Sequence, residues 1–373
     1  MDKPPDLKQH DGWLQDDSPA AALVMRQWLL PVEGREAVIF PPTYAAPAAT
    51  PKEEWLGYNI DRFDNGTTVC QIDSVGAQAN RMEPIFKREP YRALVPQICV
   101  KAGEVQTSIL DAGHRAADAM VRHSELHDEL EEAFRAWQKD GNAVPLAKVA
   151  PTSFVFGAFD SRATRARAPR IVRSVVRAFG AEVLHRSATF IPPVEYVREG
   201  ILDEPGGKAQ QDAMSEQGFA HVPATWKHGG VIVHGEIRRD AAINLVALRA
   251  LGGPKQGGDP LPVRRYVLGL SLVAFTAPQE TFLREGCQLV PDTEHASEWR
   301  MVRHDGEHDQ LDVAHEQALG YATAAAQAFG VGESRTVNFN SASAKKAMEG
   351  SKQERKAARR RGRAGGRTEG SDT

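Results

Sequence analysis

Polar side chains that suit contacts to phosphate, sugar and base edges recur at helical spacing in one short stretch, CQIDSVGAQANRMEPIF. Ser74, Gln78 and Arg81 fall at i, i+4 and i+7, and Asn80 lies beside them. A hydroxyl, an amide and a guanidinium are groups that proteins use to hold a nucleic-acid backbone. The same spacing is also typical of an ordinary surface helix, so the stretch alone leaves both interpretations open.

A helix beginning at Ser74 is needed to present these groups together. Asp73 and Ser74 are good N-caps, because their side-chain oxygens accept hydrogen bonds from the free amides of a first turn. One apolar face follows at i, i+4, i+7 and i+11, formed by Val75, Ala79, Met82 and Phe86. Pro84 kinks or ends the helix in its last turn. The pattern predicts a helix anchored on one side with a polar stripe beside the anchor.

A second group of candidate residues is a run of arginines directly after the apolar segment SFVFGAF. The run follows Asp160 and contains Ser161, Arg162, Arg165, Arg167 and Arg170. No acidic residue is interleaved, so this is not the pattern of an ion-paired helix face. A local positive patch in an otherwise acidic body is a candidate for tracking phosphates. The pair His114 and Arg115, at the start of a long helix predicted over Ser108 to Gln138, lies close in sequence to the first stretch.

A cluster in HDGEHDQLDVAH raises the alternative of a metal centre. Imidazoles and carboxylates could converge on a metal ion if this segment were helical, and its members are His304, His308, Asp309, Asp312 and His315. Gly306 argues against a helix through the first half of the segment. The sequence contains no GxSxG, HExxH, phosphate-loop or Rossmann motif. We therefore expect no metal site and no cofactor, and no motif in the sequence indicates a catalytic centre.

The composition limits which classes of protein this chain can belong to. The chain has 373 residues, 41% of them hydrophobic, and a net charge of −3. Residues 345–373 hold ten Lys and Arg against four Asp and Glu, a net of +6, so residues 1–344 carry −9. The three cysteines form no CxxC pair, which argues against a disulfide scaffold or a thiolate zinc site. The sequence has no apolar stretch of membrane-spanning length, so we expect a cytoplasmic protein without a membrane partner.

The remaining pattern predicts alternating strands and helices, an α+β protein. The most apolar segment, YVLGLSLVAF, is expected to be a central strand, and the basic, low-complexity end of the chain is expected to be disordered. Residues 192–230 read as a long loop. The other predicted elements are helices over Ile171 to Phe179, Arg238 to Leu251 and Leu311 to Phe329, strands over Val183 to Ile191 and VIVHGEI, and a hairpin over Thr281 to Val290.

Several segments occur in the order seen in a known family. They are DSVGAQANRME, SILDAGHRAADA, SFVFGAFDSR with APR, GGVIVHGEIRRDAAINLVALRAL and FLREGCQL. Together they resemble the backbone subunit of the type I-U (also called I-G) CRISPR Cascade complex, a member of the RAMP superfamily. The resemblance covers roughly residues 25–290.

The resemblance implies a modified RNA-recognition-motif (ferredoxin-like) palm with inserted thumb and finger segments. On this basis residues 1–22 are expected to be a flexible N-terminus and residues 23–335 the RRM-like domain, with insertions at about 87–150 and 192–229. Residues 336–373 would form a disordered basic tail. The chain lacks the aromatic signatures with which ordinary RNA-recognition motifs stack bases, which fits gripping of the RNA backbone better.

The resemblance also implies a non-catalytic function. Copies of the subunit would stack as a filament along crRNA and grip its backbone, so that the bases pair with target DNA in antiviral defence. Further partners would be other Cascade subunits: the large subunit, the small subunit and the subunit that caps or processes the guide end. The expected RNA contacts are Ser74, Gln78, Asn80, Arg81, His114, Arg115, Ser161, Arg162, Arg165, Arg167, Arg170, Arg238 and Arg239.

Two alternatives remain at the level of sequence. An RNA-cleaving member of the same superfamily could use a loop aspartate such as Asp160. A metal-dependent hydrolase could use the 304–315 cluster. Arg81 also has a structural alternative, an ion pair with Asp73 or with an acid on a neighbouring strand.

Overall fold

The computed structural model describes residues 6–51, 54–55, 57–254 and 257–349, which form a mixed α+β protein as expected. The strands are β1 (Ala20–Pro31), β2 (Ile60–Arg62), β3 (Thr68–Asp73), β4 (Ile98–Ala102), β5 (Val105–Ser108), β6 (Ala158–Phe159), β7 (Arg167–Ala168), β8 (Val172–Phe179), β9 (Ala181–Phe190), β10 (Val222–Val233), β11 (Ile237–Asn244), β12 (Phe282–Arg284), β13 (Cys287–Pro291), β14 (Glu298–Arg303), β15 (His308–Gln310) and β16 (Arg335–Asn338).

Helices pack against strands of the main sheet and against one another. They are α1 (Asp11–Leu14), α2 (Val75–Met82), α3 (Ala119–Arg122), α4 (His127–Asp140), α5 (Val144–Val149), α6 (Thr152–Val155), α7 (Lys208–Glu216), α8 (Leu245–Arg249), α9 (Leu261–Thr276) and α10 (His315–Phe329). Short 3₁₀ helices lie at Glu83–Lys87, Arg92–Leu94, Ile109–Asp111 and Arg115–Ala117.

The main sheet is antiparallel throughout the described residues and is compatible with an RRM-like fold. Its strands follow the order β12-β13-β1-β11-β8-β3-β2, and β14 with β15 joins the same edge of β1 as β13. The long strand β1 pairs with β11 from Ala22 opposite Asn244 to Leu29 opposite Ile237. Because side chains alternate between the two faces of a strand, this register puts Met25 and Ala241 on the buried face.

A long hairpin arm extends from the middle of this sheet. Strand β8 continues through Gly180 into β9, and β10 continues through residues 234–236 into β11, so the paired strands run from the sheet to Phe190 opposite Val222. Helix α7 lies between the far ends of the arm. The segment 192–230, expected to be poor in regular structure, thus contains α7 and most of β10.

The apolar segment YVLGLSLVAF forms helix α9, so the prediction of a central strand there is wrong. Every residue from Tyr266 to Phe275 is buried. A helix enclosed on all sides has no polar face, and its sequence therefore lacks the 3.6-residue period that distinguishes a helix from a buried strand. The predicted central position is retained, because α9 packs between the sheet and α10.

Two predicted helices are wrong in the opposite direction, because their residues form strands. Residues predicted as a helix over Ile171 to Phe179 form strand β8, and the segment from Arg238 is strand β11 up to Asn244, where the short helix α8 begins. Valine-rich segments favour a half-buried pleated surface, and pairing of β8 with β11 fixes both strands. The predicted strand over Val183 to Ile191, the hairpin over Thr281 to Val290 and the alanine-rich helix are confirmed as β9, β12 with β13, and α10.

The predicted long helix over Ser108 to Gln138 is also wrong, because new helices start inside it. Ser108 accepts a hydrogen bond from the backbone amide of Leu110 at 3.2 Å, and Asp118 accepts one from Met120 at 3.0 Å. Such caps begin helices rather than continue them. The region is divided into two 3₁₀ turns and the helices α3 and α4.

Both ends of the described chain carry regular structure that differs from expectation. Residues 335–338 form β16, which pairs in parallel with β4, and residues 341–349 are helical, so the predicted disordered tail is wrong for 336–349. Before β1, the buried Leu14 is held by a 2.8 Å hydrogen bond from Arg264, and Arg265 pairs with Asp11 at 2.5 Å, which fixes part of the predicted flexible N-terminus. Residues 1–5 and 350–373 lie outside the described residues. Within the described residues, no helix is both long and apolar enough to cross a membrane.

The contact between α9 and α10 supplies a test of this packing. A Cβ atom on Gly269 would lie 2.7 Å from the Cα atom of Ala322, so Gly269→Ala must move one helix away from the other. We expect this overpacking to lower the free energy of unfolding by about 1–3 kcal/mol, measured by denaturant titration. The control is Gly76→Ala in α2, where a Cβ finds only the Ser74 hydroxyl at 3.8 Å. That change should leave stability equal or raise it by up to about 1 kcal/mol. Equal stability of wild type and Gly269→Ala would contradict the packing.

Candidate nucleic-acid interface

Residues from three separate segments of the chain meet around a surface groove of about 760 Å³. Six of the residues predicted from sequence line it: Asn80, His114, Arg115, Ser161, Arg167 and Arg170. The fold therefore brings the polar helix, the His-Arg pair and the arginine run to one place. The other lining residues, which sequence reasoning missed, are Gly76, Gly113, Gly157, Ala158, Phe159 and Ala168.

A buried ion pair holds Arg115, one of the residues that line the groove. Arg115 Nε lies 2.7 Å from Glu83 Oε2, and both side chains are almost completely buried. The Arg115 guanidinium also donates to the carbonyl of Gly157 at 3.2 Å and lies 5.3 Å from the ring centre of Phe156. Burial raises the pKa of Glu83 to about 7, although Arg115 acts in the opposite direction. Arg115 thus braces the groove from beneath.

The backbone of Arg115 is held in an uncommon conformation. Its φ is +54°, a left-handed value that non-glycine residues adopt rarely and at a cost of order 1–3 kcal/mol. The ion pair and a 3.4 Å hydrogen bond from the guanidinium to Asn80 Oδ1 offset that cost. The neighbouring His114 remains exposed at the rim of the groove.

Asp160 accepts hydrogen bonds from the loop that carries the arginine run. Its carboxylate accepts hydrogen bonds from the backbone amides of Ala163 at 3.3 Å and Thr164 at 2.7 Å, and from the Thr164 hydroxyl at 2.8 Å. Burial alone would raise the pKa of Asp160, but these donors and the amide of Arg162 outweigh it, so the pKa is lowered. The residue is 3% exposed and both carboxylate oxygens accept hydrogen bonds, as in a loop-capping residue.

The arginines of this run carry positive charge without a carboxylate partner. Within the described residues, no ion pair forms at Arg162, Arg165, Arg167 or Arg170. Arg170 donates to the carbonyl of Phe156 at 2.8 Å, and its pKa is lowered first by burial and then by repulsion from Arg115 and Arg173. An anion bound in the groove would reduce the repulsion between these guanidinium groups. The charge of the site therefore favours anion binding.

Phe159 gives the groove an exposed aromatic face. The ring is 45% exposed, and the guanidinium of Arg167 lies 4.5 Å from its centre. An aromatic ring beside unpaired arginines is a combination that binds single-stranded nucleic acid by stacking and charge. Sequence reasoning missed this residue because it ends an apolar run that reads as core. Its position directly before Asp160 and the arginine run was the available signal.

Two glycines keep the groove open. A Cβ atom at Gly76 would meet nothing closer than the Ser74 hydroxyl at 3.8 Å, and one at Gly113 nothing closer than Asn80 Nδ2 at 3.9 Å. Packing within the described chain therefore does not require glycine at either position. Absence of a side chain there leaves the backbone of α2 and of the 113–115 turn accessible to a ligand.

The polar stripe of α2 does not lie in the groove. Ser74 caps the helix as predicted, accepting from the amide of Ala77 at 3.2 Å. Gln78 is buried and donates to Asp73 at 2.6 Å, and Arg81 forms a 3.0 Å ion pair with the same carboxylate. Arg81 therefore forms the ion pair with Asp73 that the sequence offered as its structural alternative. The burial of Gln78 argues against a contact between this residue and RNA.

The two predicted residues of β11 lie away from the groove on opposite faces of the sheet. Arg238 is half-buried, forms ion pairs with Glu236 and Asp240, and covers the ring of Phe179 at 4.2 Å. Arg239 is 4% exposed and donates to the Ser174 hydroxyl at 2.9 Å. Neither position is free for a ligand on the outer surface.

The residues of the 304–315 cluster do not converge. Asp309 pairs with Arg303 at 2.6 Å, and His304 contacts Arg249 at 3.3 Å. His315, at the start of α10, lies 2.7 Å from the Tyr91 hydroxyl. Among the described residues, no group of three or more His, Cys, Asp or Glu is placed to hold a metal ion.

Comparison with known proteins gives a match to a family model and matches to chains of solved structures. Residues 23–183 match the family described as CRISPR-associated protein GSU0053 (Cas_GSU0053), a span that includes α2, Arg115 and the arginine run. A chain of a solved structure titled "CRISPR RNA-guided surveillance complex, pre-nicking" matches with 13% identity, over 82% of this chain and 86% of that chain, at a TM-score of 0.35. No curated protein matches. The first half of this chain is therefore similar to a CRISPR-associated protein family.

Proposed function

We propose that this chain is a non-catalytic crRNA-binding subunit of a CRISPR surveillance complex. The observation that carries the proposal is the groove, in which unpaired arginines and an exposed aromatic ring meet inside the span that matches a CRISPR-associated family. The assignment to a backbone subunit of type I-U, in the RAMP superfamily, rests on the motifs named from the sequence.

The chemistry of the groove supports contacts to the RNA backbone. Arg167 and Arg170 line the groove, and Arg162 and Arg165 are exposed on the adjoining loop, so a strand laid along it would place phosphates against guanidinium groups. Phe159 offers one stacking surface. Contacts of this kind carry little sequence information, which leaves the bases free to pair with target DNA.

The arrangement of elements suggests how the proposed assembly is built. The main sheet would act as the palm, and the β9–β10 arm with α7 as an inserted segment reaching a neighbour. Further copies of this chain would stack along the guide in the cytoplasm. The large, small and guide-end subunits would complete the complex.

The two alternative functions find no support in the geometry of their residues. Both oxygens of Asp160 accept hydrogen bonds from its own loop, so the carboxylate is not placed to activate a ribose hydroxyl. The residues of the metal-hydrolase alternative are separated, as described above.

Removing unpaired arginines should weaken RNA binding in a way that depends on salt. We expect Arg162→Gln with Arg167→Gln to lower the affinity for single-stranded RNA and to make the slope of log K against log salt less negative by about 1.4, since each lost phosphate contact contributes about 0.7. Fluorescence anisotropy across a salt series measures both quantities. The control is Arg135→Gln with Arg300→Gln, which removes the same charge from arginines paired with Glu131 and Glu298. Equal losses in the two double variants would contradict the proposed interface.

Loss of the exposed ring should weaken binding without changing the salt dependence. Base stacking on an aromatic side chain contributes about 1–3 kcal/mol, so Phe159→Leu should reduce RNA affinity about fivefold or more. Phe282→Leu, at a similarly exposed ring on β12, is the control and should have no effect. An unchanged RNA affinity of the Phe159→Leu variant would contradict base stacking on this ring.

Asp160 should matter for loop structure and not for cleavage. We expect the wild-type protein to leave labelled RNA intact in the presence of Mg²⁺ or Mn²⁺. Asp160→Ala should lower the free energy of unfolding by about 1–3 kcal/mol, because three partly buried donors lose their acceptor. Gel analysis of RNA and denaturant titration give the two readouts. RNA cleavage that disappears in Asp160→Ala would favour the nuclease alternative.

A further inference from the structure

A second cavity lies against one face of the main sheet, and none of its lining residues belongs to the groove described above. It has a volume of about 280 Å³ and is lined by residues of β1, β8 and β11 and by the segment that follows α9. Its walls are mostly apolar, including Phe275, Trp299, Leu283 and Leu289. A volume of this size would hold about nine water molecules, at about 30 Å³ each.

Arg239 enters this cavity with part of its guanidinium unpaired. The side chain is 4% exposed, and its Nε donates to the Ser174 hydroxyl at 2.9 Å. One Nη2 hydrogen is directed at the sulfur of Met82, at 3.7 Å, which is a weak acceptor. An arginine has five N–H donors, and the remaining donors of this fork have no acceptor among the described residues. No carboxylate pairs with Arg239 in the described part of the chain.

A chain of buried hydrogen bonds fixes the direction of this guanidinium. The Ser174 hydroxyl donates to Gln78 Oε1 at 2.8 Å, and Gln78 Nε2 donates to Asp73 at 2.6 Å. The negative charge of Asp73 is thus separated from Arg239 by two neutral side chains, and it is in direct contact with Arg81 instead. The result is an oriented cation whose free end faces an apolar cavity. Burial of a charge in this state is costly, and it lowers the pKa of Arg239 to about 10.

We propose that this cavity binds a small organic anion, with a carboxylate on the fork of Arg239 and an apolar body against Phe275, Trp299 and Leu283. A carboxylate matches the planar fork of a guanidinium with two parallel hydrogen bonds. The only carboxylate among the described lining residues, Glu280, is exposed in the segment after α9 and does not contact Arg239. The site is independent of the proposed RNA groove.

Benzoate is the probe for this site, and benzamide, its neutral counterpart of the same shape, is the matched control. Binding to the full-length protein is measured by ligand-observed NMR titration, with circular dichroism to confirm folding. We expect benzoate to bind with a Kd of about 1 mM or tighter, and at least about tenfold more tightly than benzamide. Equal binding of the two compounds, or no benzoate binding at about 10 mM, would overturn the proposal.

Two variants test whether benzoate binds in this cavity. Arg239→Met removes the fork and should reduce benzoate affinity at least about tenfold. Because that change also removes a donor to Ser174 and could unfold the protein, Thr281→Phe serves as the second variant, since a larger side chain there fills the lining without touching the hydrogen-bond chain. Thr323→Phe, at an exposed position of α10, is the control and should bind as wild type does. Benzoate binding that survives Thr281→Phe unchanged would place the ligand elsewhere and overturn the assignment.

Discussion

The arrangement of the groove depends on the buried ion pair between Glu83 and Arg115. It joins the 3₁₀ turn after α2 to the turn at residue 115, and Arg115 in turn contacts Asn80, Phe156 and the carbonyl of Gly157. Removal of one partner from a buried pair leaves an uncompensated charge, which typically costs about 3–5 kcal/mol. The pair thereby holds three segments of the chain at fixed distances, and the unpaired arginines are displayed on the surface that results.

Helix α2 connects this groove to the sheet because its two sides have different partners. Residues two positions apart lie about 200° apart around a helix, so Asn80 faces the groove while Gln78 faces Asp73 and Ser174 in the sheet. Gly76, four positions before Asn80, lies on the groove side. The same helix therefore anchors the interface and closes one end of the hydrogen-bond chain that orients Arg239.

Features encoded by neighbouring residues were predictable from the sequence, and features that depend on distant partners were not. The cap at Ser74 and the apolar face of α2 are local, and so is the arginine run. The inward direction of Gln78 is set by Ser174, almost one hundred positions away, so the polar stripe was assigned to the wrong side of the helix. Helix α9 was missed because burial on all sides removes the periodicity that identifies a helix, and Phe159 because an aromatic residue in an apolar run reads as core.

Photo-crosslinking of the protein to single-stranded RNA carrying 4-thiouridine, followed by mass spectrometry of the linked peptides, tests the central claim most directly. If RNA lies in the groove bounded by α2, the 113–115 turn and the arginine run, the linked peptides should contain residues 76–80, 113–115 or 157–170. Crosslinks confined to other parts of the chain, such as the outer face of the sheet around Arg26 and Arg238 or residues 350–373, would contradict it.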